Sequence, residues 1–225
     1  MKKPLTLSRA KTAALFIDLQ EEHRHDPRYL VEGYDRVLTN VGKLQAESRG
    51  NDVPVLHCAY VVDTATMRPF HPVNPDGTSA FSDKSDPLTD VCPEVAPQGD
   101  ELLLIKGEAS AFGDGRLAPL LRGQGIEWLI VAGVWTEACV DATVKHAVTQ
   151  GFHVLLVKDA CGSGTDAMHR TGILNLASRL YGGAVVDTAG ALRLIAGETV
   201  DAWQVEGSVP VKYRFDNASE FYDAL

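Results

Sequence analysis

Cys139 occupies a position at which a cysteine side chain can act as a nucleophile. The apolar run 129–132 predicts a buried strand, Gly133 interrupts it, and Thr136 is a good N-cap for the helix that follows. Cys139 is thereby placed in the first helical turn, where unpaired backbone N–H groups and the helix dipole favour the thiolate. We therefore expect the pKa of the Cys139 thiol to lie below its ordinary value of about 8.5.

Two charged residues follow other predicted strands and are candidates to act with Cys139. Asp18 comes directly after the apolar run 13–17, and Lys106 comes directly after the run 102–105. Ligands of open parallel sheets bind beyond the carboxyl ends of the strands. Because all three residues are placed at that edge, we expect a carboxylate, an ammonium group and a thiol to meet in one crevice.

Each of these side chains has a role in nucleophilic hydrolysis. Asp18 can accept the thiol proton and later donate it to a leaving amine. Lys106 can stabilise the carboxylate and the thiolate through its charge, and Cys139 can attack a carbonyl carbon to form a thioester. The backbone N–H groups of Trp135 and Cys139 are predicted to form the oxyanion hole. Together these residues predict a catalytic triad.

Alternating apolar runs and helical patterns position these residues. The alternation is typical of βαβ units and predicts an α/β fold, a three-layer Rossmann-like domain with a six-stranded parallel sheet flanked by helices. The predicted strands are 13–17, 53–57, 102–105, 129–132, 154–157 and 184–186. The predicted helices are 34–49, 117–122, 137–150, 165–181 and 189–196.

Two segments depart from this alternation. Residues 63–99 contain six prolines and predict a long irregular excursion, of the kind that lines binding sites in compact α/β domains. We assign residues 1–198 to the α/β domain and residues 199–225 to a C-terminal extension. The five aromatic residues of the extension predict that it packs on the domain or on a neighbouring subunit.

Composition and charge exclude several classes of protein. The chain has 225 residues and a net charge of −9, which argues against nucleic acid or an anionic membrane as a partner. No apolar stretch reaches membrane-spanning length, and residues 1–11 lack the apolar core of a signal peptide. The four cysteines contain no Cys-x-x-Cys pair, which disfavours a disulfide framework or a zinc site. We therefore expect a cytoplasmic protein.

Three motifs around these residues resemble those of a known family. They read Phe16-Ile17-Asp18-Leu19-Gln20, then Lys106 with Ser110-Ala111-Phe112, then Gly133-Val134-x-Thr136-x-x-Cys139-Val140-x-x-Thr143. In content, order and separation they resemble the motifs of the isochorismatase-like cysteine hydrolases, and the similarity runs over residues 11–196. The resemblance implies the same parallel fold, the triad of Asp18, Lys106 and Cys139, and a cis peptide bond between Val134 and Trp135.

The resemblance leaves a choice of chemistry. Family members that cleave isochorismate hydrolyse a vinyl ether, which requires no cysteine nucleophile. Cys139 therefore favours C–N hydrolysis of a small amide or of a ureido or N-carbamoyl compound. Nicotinamidases carry a metal-binding Asp-x-His pattern, but here Asp63 is followed two residues later by Ala65. His57 and His71 alone are weak metal candidates, so we expect no metal and no other cofactor.

Substrate specificity is expected to come from the loops around the triad. Phe112 and Trp135 are predicted to wall a substrate pocket, and Arg68 is predicted to bind a substrate carboxylate. Residues 22–25 are further candidates to contact a polar end of the substrate. Cys161 also follows a strand, but it ranks below Cys139 because no helix is predicted to begin beneath it.

Two alternatives to an amide hydrolase stay open. One is an isochorismatase-type vinyl-ether hydrolase, and the other is a non-catalytic domain that binds a partner through its aromatic extension. For the leading hypothesis we expect a small-molecule amide as the ligand and assembly of the chain into a homo-oligomer.

Overall fold

The computed structural model describes residues 1–207 and 211–225, and a single eight-stranded sheet lies at its centre. The strands are β1 (Lys2–Leu5), β2 (Thr12–Ile17), β3 (Val55–Tyr60), β4 (Leu102–Lys106), β5 (Trp128–Val134), β6 (His153–Gly162), β7 (Ala184–Val186) and β8 (Val200–Trp203). They lie in the order β1-β8-β7-β6-β5-β2-β3-β4. Strands β2 to β7 are all parallel, whereas β8 pairs antiparallel with both β7 and β1.

The α/β class is confirmed, but the sheet has two more strands than the six predicted. The additional strands β1 and β8 pair with each other, and Lys2 lies opposite Trp203. Each has four residues, and β1 contains Pro4. Neither shows the apolar run that marks a buried parallel strand, because charged residues interrupt both and proline interrupts β1. Short strands of this kind are typical of the edge region of a sheet. Strand β8 lies within the predicted extension, so the division at residue 198 stays a prediction.

Helices cover both faces of the sheet and complete the three layers. They are α1 (Glu22–His25), α2 (Tyr34–Gly50), α3 (Leu117–Gly123), α4 (Asp141–Thr149), α5 (Asp166–Ala177), α6 (Thr188–Ile195) and α7 (Ala218–Ala224). Helices α2 and α6 share one apolar core with one face of the sheet, and α3, α4 and α5 share a second core with the other face. Among the described helices, none combines the length and apolar character needed to cross a membrane.

The central strands β2 and β5 bring the polar strand ends together. All six residues of β2 are buried, which is typical of a parallel strand covered on both faces. At the end of the pair, Ile17 lies opposite Gly133. Gly133 has a φ of +130°, and a Cβ there would lie 2.2 Å from the Ile17 carbonyl oxygen. Glycine is therefore required at this position, and the close approach holds the end of β5 beside Asp18.

The segment between β3 and β4 is irregular, as its prolines predict. It contains two short 3₁₀ turns, Pro87–Thr89 and Pro93–Val95. Gln20 fastens it to the end of the sheet, because its Nε2 donates to the carbonyls of Tyr60 at 2.9 Å and Thr89 at 2.7 Å. The segment is thus held over the carboxyl ends of the strands.

The described part of the extension packs on its own domain. Helix α7 lies against α5, and the terminal residue Leu225 is buried. Lys158 in β6 donates from Nζ to the carbonyl of Tyr222 at 3.0 Å. These contacts join the extension to the layer that carries α4 and α5.

Candidate active site

The three predicted catalytic residues lie at the carboxyl end of the sheet. Asp18 follows β2, Lys106 ends β4, and Cys139 lies in the helical turn after β5. Strand β3 separates β2 from β4, so Lys106 is one strand farther from Asp18 than a neighbouring strand would place it. Its side chain reaches across β3. The Nζ atom lies 4.7 Å from the centre of the Tyr60 ring and donates to Asp18 Oδ2 at 2.7 Å.

Asp18 and Lys106 form a buried ion pair. Their exposed fractions are 3% and 4%, and Lys106 Nζ also donates to the carbonyl of Glu108 at 3.1 Å. Burial by itself would lower the pKa of Lys106, but the charge of Asp18, its hydrogen bond and the nearby Cys139 and Cys58 thiol groups together outweigh burial and hold the pKa above its ordinary value. Lys106 is therefore an ammonium group at neutral pH and fixes the position of the carboxylate.

The Cys139 thiol is partly exposed, and its pKa departs from the prediction. Burial and the negative charge of Asp18 together raise the pKa of Cys139 to about 12, although Lys106 opposes both. The expectation of a lowered pKa is wrong, because losing water disfavours the thiolate more than the nearby ammonium group favours it. At neutral pH the thiol therefore carries its proton, which it would have to lose to act as a nucleophile.

The turn that carries Cys139 also differs from the prediction at its start. It is a single π-helical turn, Thr136–Val140, that continues into α4. Its N-cap residue is Trp135 and not Thr136, and the Trp135 side chain makes no capping hydrogen bond. The Trp135 carbonyl instead accepts a bond from the N–H of Ala138 at 3.0 Å. The peptide bond before Trp135 is cis, as the resemblance implied.

Thr136 belongs to a chain of hydrogen bonds that anchors this turn. Its hydroxyl donates to the carbonyl of Gly162 at 2.9 Å, so its oxygen accepts from Nδ1 of His169 at 2.8 Å. With Nδ1 protonated, Nε2 of His169 accepts from the Tyr222 hydroxyl at 3.0 Å. Burial lowers the pKa of His169 to about 4, so the ring is neutral at neutral pH. Three hydrogen bonds therefore join α7, through His169 of α5, and β6 to the turn that carries Cys139, which we call the nucleophile turn for its predicted role.

A cavity of about 270 Å³ opens beside Cys139. The lining residues that follow strands, Asp18, Trp135 and Cys139, are called the strand-end wall. The lining residues from α1 and the irregular segment, Glu22, Arg68, Phe81 and Ser82, are called the loop wall. The cavity therefore lies between the predicted catalytic residues and the predicted specificity loops.

Two of the three predicted pocket residues line this cavity. Trp135 and Arg68 do so, whereas Phe112 does not. Phe112 is 2% exposed and packs in the core, with its ring centre 5.8 Å from that of Phe152 and 5.6 Å from that of His146. The prediction for Phe112 is corrected, because its side chain enters the apolar layer between the sheet and the helices.

The predicted polar residues of α1 divide between two surroundings. Glu22 and His23 line the cavity. Arg24 instead pairs with Glu21 at 2.6 Å and with Glu94, and His25 Nε2 lies 3.1 Å from Glu21. The first two residues of α1 therefore contribute to the cavity, and the last two form ion pairs outside it.

Several residues near the site carry no signal in the sequence. Tyr60, Phe81 and Ser82 line the cavity, and Cys58 Sγ lies 4.0 Å from Asp18 Oδ1. The position of Tyr60 and Cys58 near the end of β3, which lies between β2 and β4, could have identified them once the strand order was known. Phe81 and Ser82 lie in irregular backbone without periodicity.

The remaining cysteine and histidine candidates lie elsewhere. Cys161 is buried in β6 opposite Gly133 and does not line the cavity. His57 Nε2 lies 2.9 Å from Glu101, and His71 Nε2 lies 2.6 Å from the hydroxyl of Ser79. Within residues 1–207 and 211–225, no group of three or more His, Cys, Asp or Glu side chains is arranged to hold a metal ion.

The chain is similar to known proteins over most of its length. Residues 12–190 match the family model described as Isochorismatase domain. Maleamate amidohydrolase of Pseudomonas putida is 35% identical over 116 residues, which cover 51% of this chain and 54% of that protein. N-carbamoylsarcosine amidase of an Arthrobacter species is 26% identical over 137 residues, 58% of this chain and 51% of that protein. The crystal structure of an isochorismatase-like hydrolase from Alkaliphilus metalliredigens shares 25% identity and a TM-score of 0.68, over 81% of this chain and 98% of that chain.

The fold and these similarities define a hydrolase with an α/β architecture. The chain belongs to the isochorismatase family, because the family model covers most of its residues. It is a hydrolase that acts on carbon–nitrogen bonds, and its similarity to amidohydrolases supports hydrolysis of small amides.

Proposed function

We propose that this protein hydrolyses a C–N bond in a small amide or in a ureido or N-carbamoyl compound, with Cys139 as the nucleophile. Asp18 transfers the protons, and Lys106 holds Asp18. The observation that carries the proposal is the buried Asp18–Lys106 pair, 2.7 Å apart, next to a cavity that Asp18 and Cys139 both line. The amidase activities named for two relatives support the same bond type.

Acylation begins from the neutral thiol. Cys139 Sγ attacks the carbonyl carbon while its proton passes to Asp18 Oδ1, since Lys106 occupies Oδ2. The carbonyl oxygen becomes negative, and the backbone N–H groups of Trp135 and Cys139 are the proposed donors to it. The C–N bond then breaks, and Asp18 gives its proton to the leaving nitrogen, which departs as ammonia or an amine. A thioester remains on Cys139.

A water molecule completes the cycle. Asp18 takes a proton from the water as its oxygen attacks the thioester carbon. The C–S bond breaks, and Asp18 returns the proton to the sulfur. The acid product leaves, and the neutral thiol and the ion pair are restored. Lys106 keeps its proton throughout, so its role is to hold Asp18 and to stabilise negative charge nearby.

The cavity supplies binding groups for the rest of the substrate. Arg68 lines the loop wall, and its guanidinium is the proposed partner of a substrate carboxylate. Trp135 lines the strand-end wall, and its indole Nε1 lies 3.3 Å from His23 Nδ1. The indole plane is therefore the proposed apolar surface against which the substrate packs.

Ammonia release from a panel of small amides, ureido acids and nicotinamide tests the proposal. We expect Cys139→Ala and Cys139→Ser to lower kcat by about 10⁴-fold or more with unchanged circular dichroism. Cys92→Ala is the matched control, since Cys92 is a buried cysteine that does not line the cavity. Ammonia release at the wild-type rate by either Cys139 variant would overturn the proposal.

Two other results would point to the alternatives. Pyruvate release from isochorismate that survives Cys139→Ala would indicate vinyl-ether hydrolysis. Inactivity on the whole panel, with Cys139 alkylated no faster than the three buried cysteines, would indicate a non-catalytic binding domain.

We also propose that the chain forms a homo-oligomer and works in the cytoplasm. Edge strand β4 exposes 37% of Leu103 and 47% of Ile105, and an exposed apolar edge strand favours pairing with a second copy. The four cysteines are free thiols, which suits a reducing compartment. We expect light scattering to give a dimer or tetramer and Ile105→Lys to shift it toward the monomer. A monomeric wild type would contradict the oligomer. Cell fractionation tests the compartment, and recovery of the protein outside the cytoplasmic fraction would contradict it.

A further inference from the structure

The cavity contains two buried carboxylates that differ in their partners. Asp18 has the ammonium group of Lys106 at 2.7 Å. Glu22 is 5% exposed, and within the described residues no Lys or Arg nitrogen lies within 4.0 Å of its oxygens. Buried carboxylates are normally compensated by a cation or by full hydrogen bonding. Glu22 therefore needs compensation from some other group.

Two hydrogen bonds from one residue satisfy Glu22 in part. Oε2 accepts from the backbone N–H of Ser82 at 2.9 Å, and Oε1 accepts from the Ser82 hydroxyl. A carboxylate has about four acceptor positions, so acceptor capacity remains. The nearest titratable nitrogen is His23 Nε2 at 3.9 Å, and burial lowers the pKa of His23, which keeps the ring neutral at neutral pH. No protein cation in the described structure compensates Glu22.

The same cavity is lined by a cation that forms no ion pair with any of the described residues. Arg68 is exposed on the loop wall, and the ion pairs of the described residues do not include it. The cavity thus presents one carboxylate without a protein cation and one guanidinium without a protein anion. Because neither forms an ion pair with the other, the two charges are more than 4.0 Å apart and can contact two different charged groups of one molecule.

Aromatic rings beside Glu22 add to the preference for a cation. Tyr29, Tyr60, Phe81 and Trp135 line the cavity. The Phe81 ring centre lies 5.6 Å from that of Tyr29 and 5.8 Å from that of Tyr60. The faces of such rings attract an ammonium group, and more so where water is excluded.

We infer that the substrate of the proposed hydrolase is dipolar: a small amide or ureido compound that carries a protonated amine and a carboxylate. Glu22 binds the amine, Arg68 binds the carboxylate, and the scissile carbonyl lies at Cys139. The inference rests on the proposed function, because it assigns the substrate class of that same cavity. The amine supplies N–H donors for the remaining acceptor positions of Glu22, and the substrate charges compensate both protein charges.

Matched pairs of compounds with and without the amine test the inference. The pairs are asparagine and succinamate, glutamine and glutaramate, and 2-amino-3-ureidopropionate and 3-ureidopropionate. We expect kcat/KM for ammonia release to be at least about tenfold higher for the preferred amine-bearing compound than for its partner. Glu22→Gln keeps an oxygen for the Ser82 N–H but removes the charge. It should raise KM for the amine-bearing compound by about tenfold and change that of the partner by less than about threefold.

Controls separate recognition from folding. Arg68→Met should raise KM for both members of a pair, because both carry the carboxylate. Glu94→Gln is the matched control, since Glu94 pairs with Arg24 and does not line the cavity. It should leave both constants unchanged. Equal kcat/KM within every hydrolysed pair would overturn the inference and leave the hydrolase function intact. Equal sensitivity of both members to Glu22→Gln would do the same.

Binding to an inactive variant gives the same comparison without turnover. Melting temperatures of Cys139→Ala are measured with each compound present. A larger rise with the amine-bearing member, lost on addition of Glu22→Gln, supports dipolar recognition even if the wild type releases no ammonia and the proposed reaction fails. Equal shifts within each pair, or no shift with any compound, would overturn the inference.

Discussion

The two walls of the cavity are built in different ways. In the strand-end wall, Asp18 and Cys139 follow adjacent parallel strands, and Lys106 reaches Asp18 across β3. In the loop wall, Glu22 and Ser82 come from a one-turn helix and from irregular backbone, and they hold each other by hydrogen bonds. The strand ends are fixed by sheet hydrogen bonds on both sides, whereas the loop wall is fixed by side-chain contacts.

This difference separates the proposed chemistry from the proposed specificity. Catalytic groups must be held within a fraction of an ångström, which rigid elements achieve better than loops. Loops tolerate substitution and insertion, so they can change the ligand without moving the catalytic groups. Substitutions in the strand-end wall are therefore expected to change kcat or stability, and substitutions in the loop wall are expected to change KM.

The largest effect is expected from separating the ion pair behind the strand-end wall. Lys106→Met leaves the Asp18 carboxylate buried without its cation. The free energy of unfolding should therefore fall by about 3 to 5 kcal/mol, and kcat should fall by about 10³-fold or more. Urea unfolding and ammonia release measure the two effects. Asp18→Asn/Lys106→Met should recover most of the stability and none of the activity; recovered activity would mean that the pair is only structural.

The pH dependence of Cys139 reactivity gives the next largest effect. With a pKa of about 12, the thiolate fraction should rise about tenfold per pH unit, or about 1000-fold between pH 7 and pH 10. The rate of Cys139 alkylation by iodoacetamide, followed by mass spectrometry, should rise by the same factor. The urea-unfolded chain is the control and should level off above about pH 9. A plateau near neutral pH in the folded protein would show a preformed thiolate.

The close approach of β2 and β5 predicts a large loss of stability at one glycine. In Gly133→Ala the new Cβ would lie 2.2 Å from the Ile17 carbonyl oxygen at a φ of +130°. The free energy of unfolding should fall by about 3 kcal/mol or more. Gly42→Ala is the matched control, because it lies in α2 with no atom within 4 Å of the new Cβ. It should stabilise by about 0.5 to 1 kcal/mol. Equal stabilities for the two variants would contradict the tight contact.

A loop-wall substitution tests the other half of the comparison. Arg68→Met removes the guanidinium from an exposed position, so we expect KM for a carboxylate-bearing amide to rise about tenfold and kcat to stay within about threefold. Arg28→Met is the control, because Arg28 pairs with Asp26 and does not line the cavity beside Cys139. A fall in kcat at constant KM would assign Arg68 to the chemistry.

The smallest effect is expected in the extension, through the chain of hydrogen bonds to Thr136. Tyr222→Phe removes the donor to His169 Nε2, which should lower the free energy of unfolding by about 1 kcal/mol and kcat by a few-fold. Tyr213→Phe is the matched control, since its hydroxyl donates to Asn175 Oδ1 in an exposed contact that is not part of the chain of hydrogen bonds to Thr136. Equal effects of the two variants on kcat would show that the extension does not position the nucleophile turn.

The parallel strands could be predicted from the sequence because their evidence is local. Buried strands such as β2 are continuous apolar runs, and the residue after each run lies at the carboxyl edge of the sheet. The short antiparallel strands β1 and β8 could not be predicted, because a half-exposed four-residue strand shows no such run. The position of Phe112 could not be predicted either, because no local pattern shows which side of the irregular backbone after β4 faces the core.

The sequence by itself determined that Asp18, Lys106 and Cys139 stand at strand ends on one edge of a parallel sheet. Only the tertiary structure decided that Lys106 crosses β3 to reach Asp18, that burial raises the pKa of the Cys139 thiol, and that the buried Glu22 has no lysine or arginine partner among the described residues. The physical reason is the separation along the chain over which each effect acts. Apolar periodicity acts within one element, whereas burial and charge pairing depend on segments far apart in the chain that meet only in the folded protein.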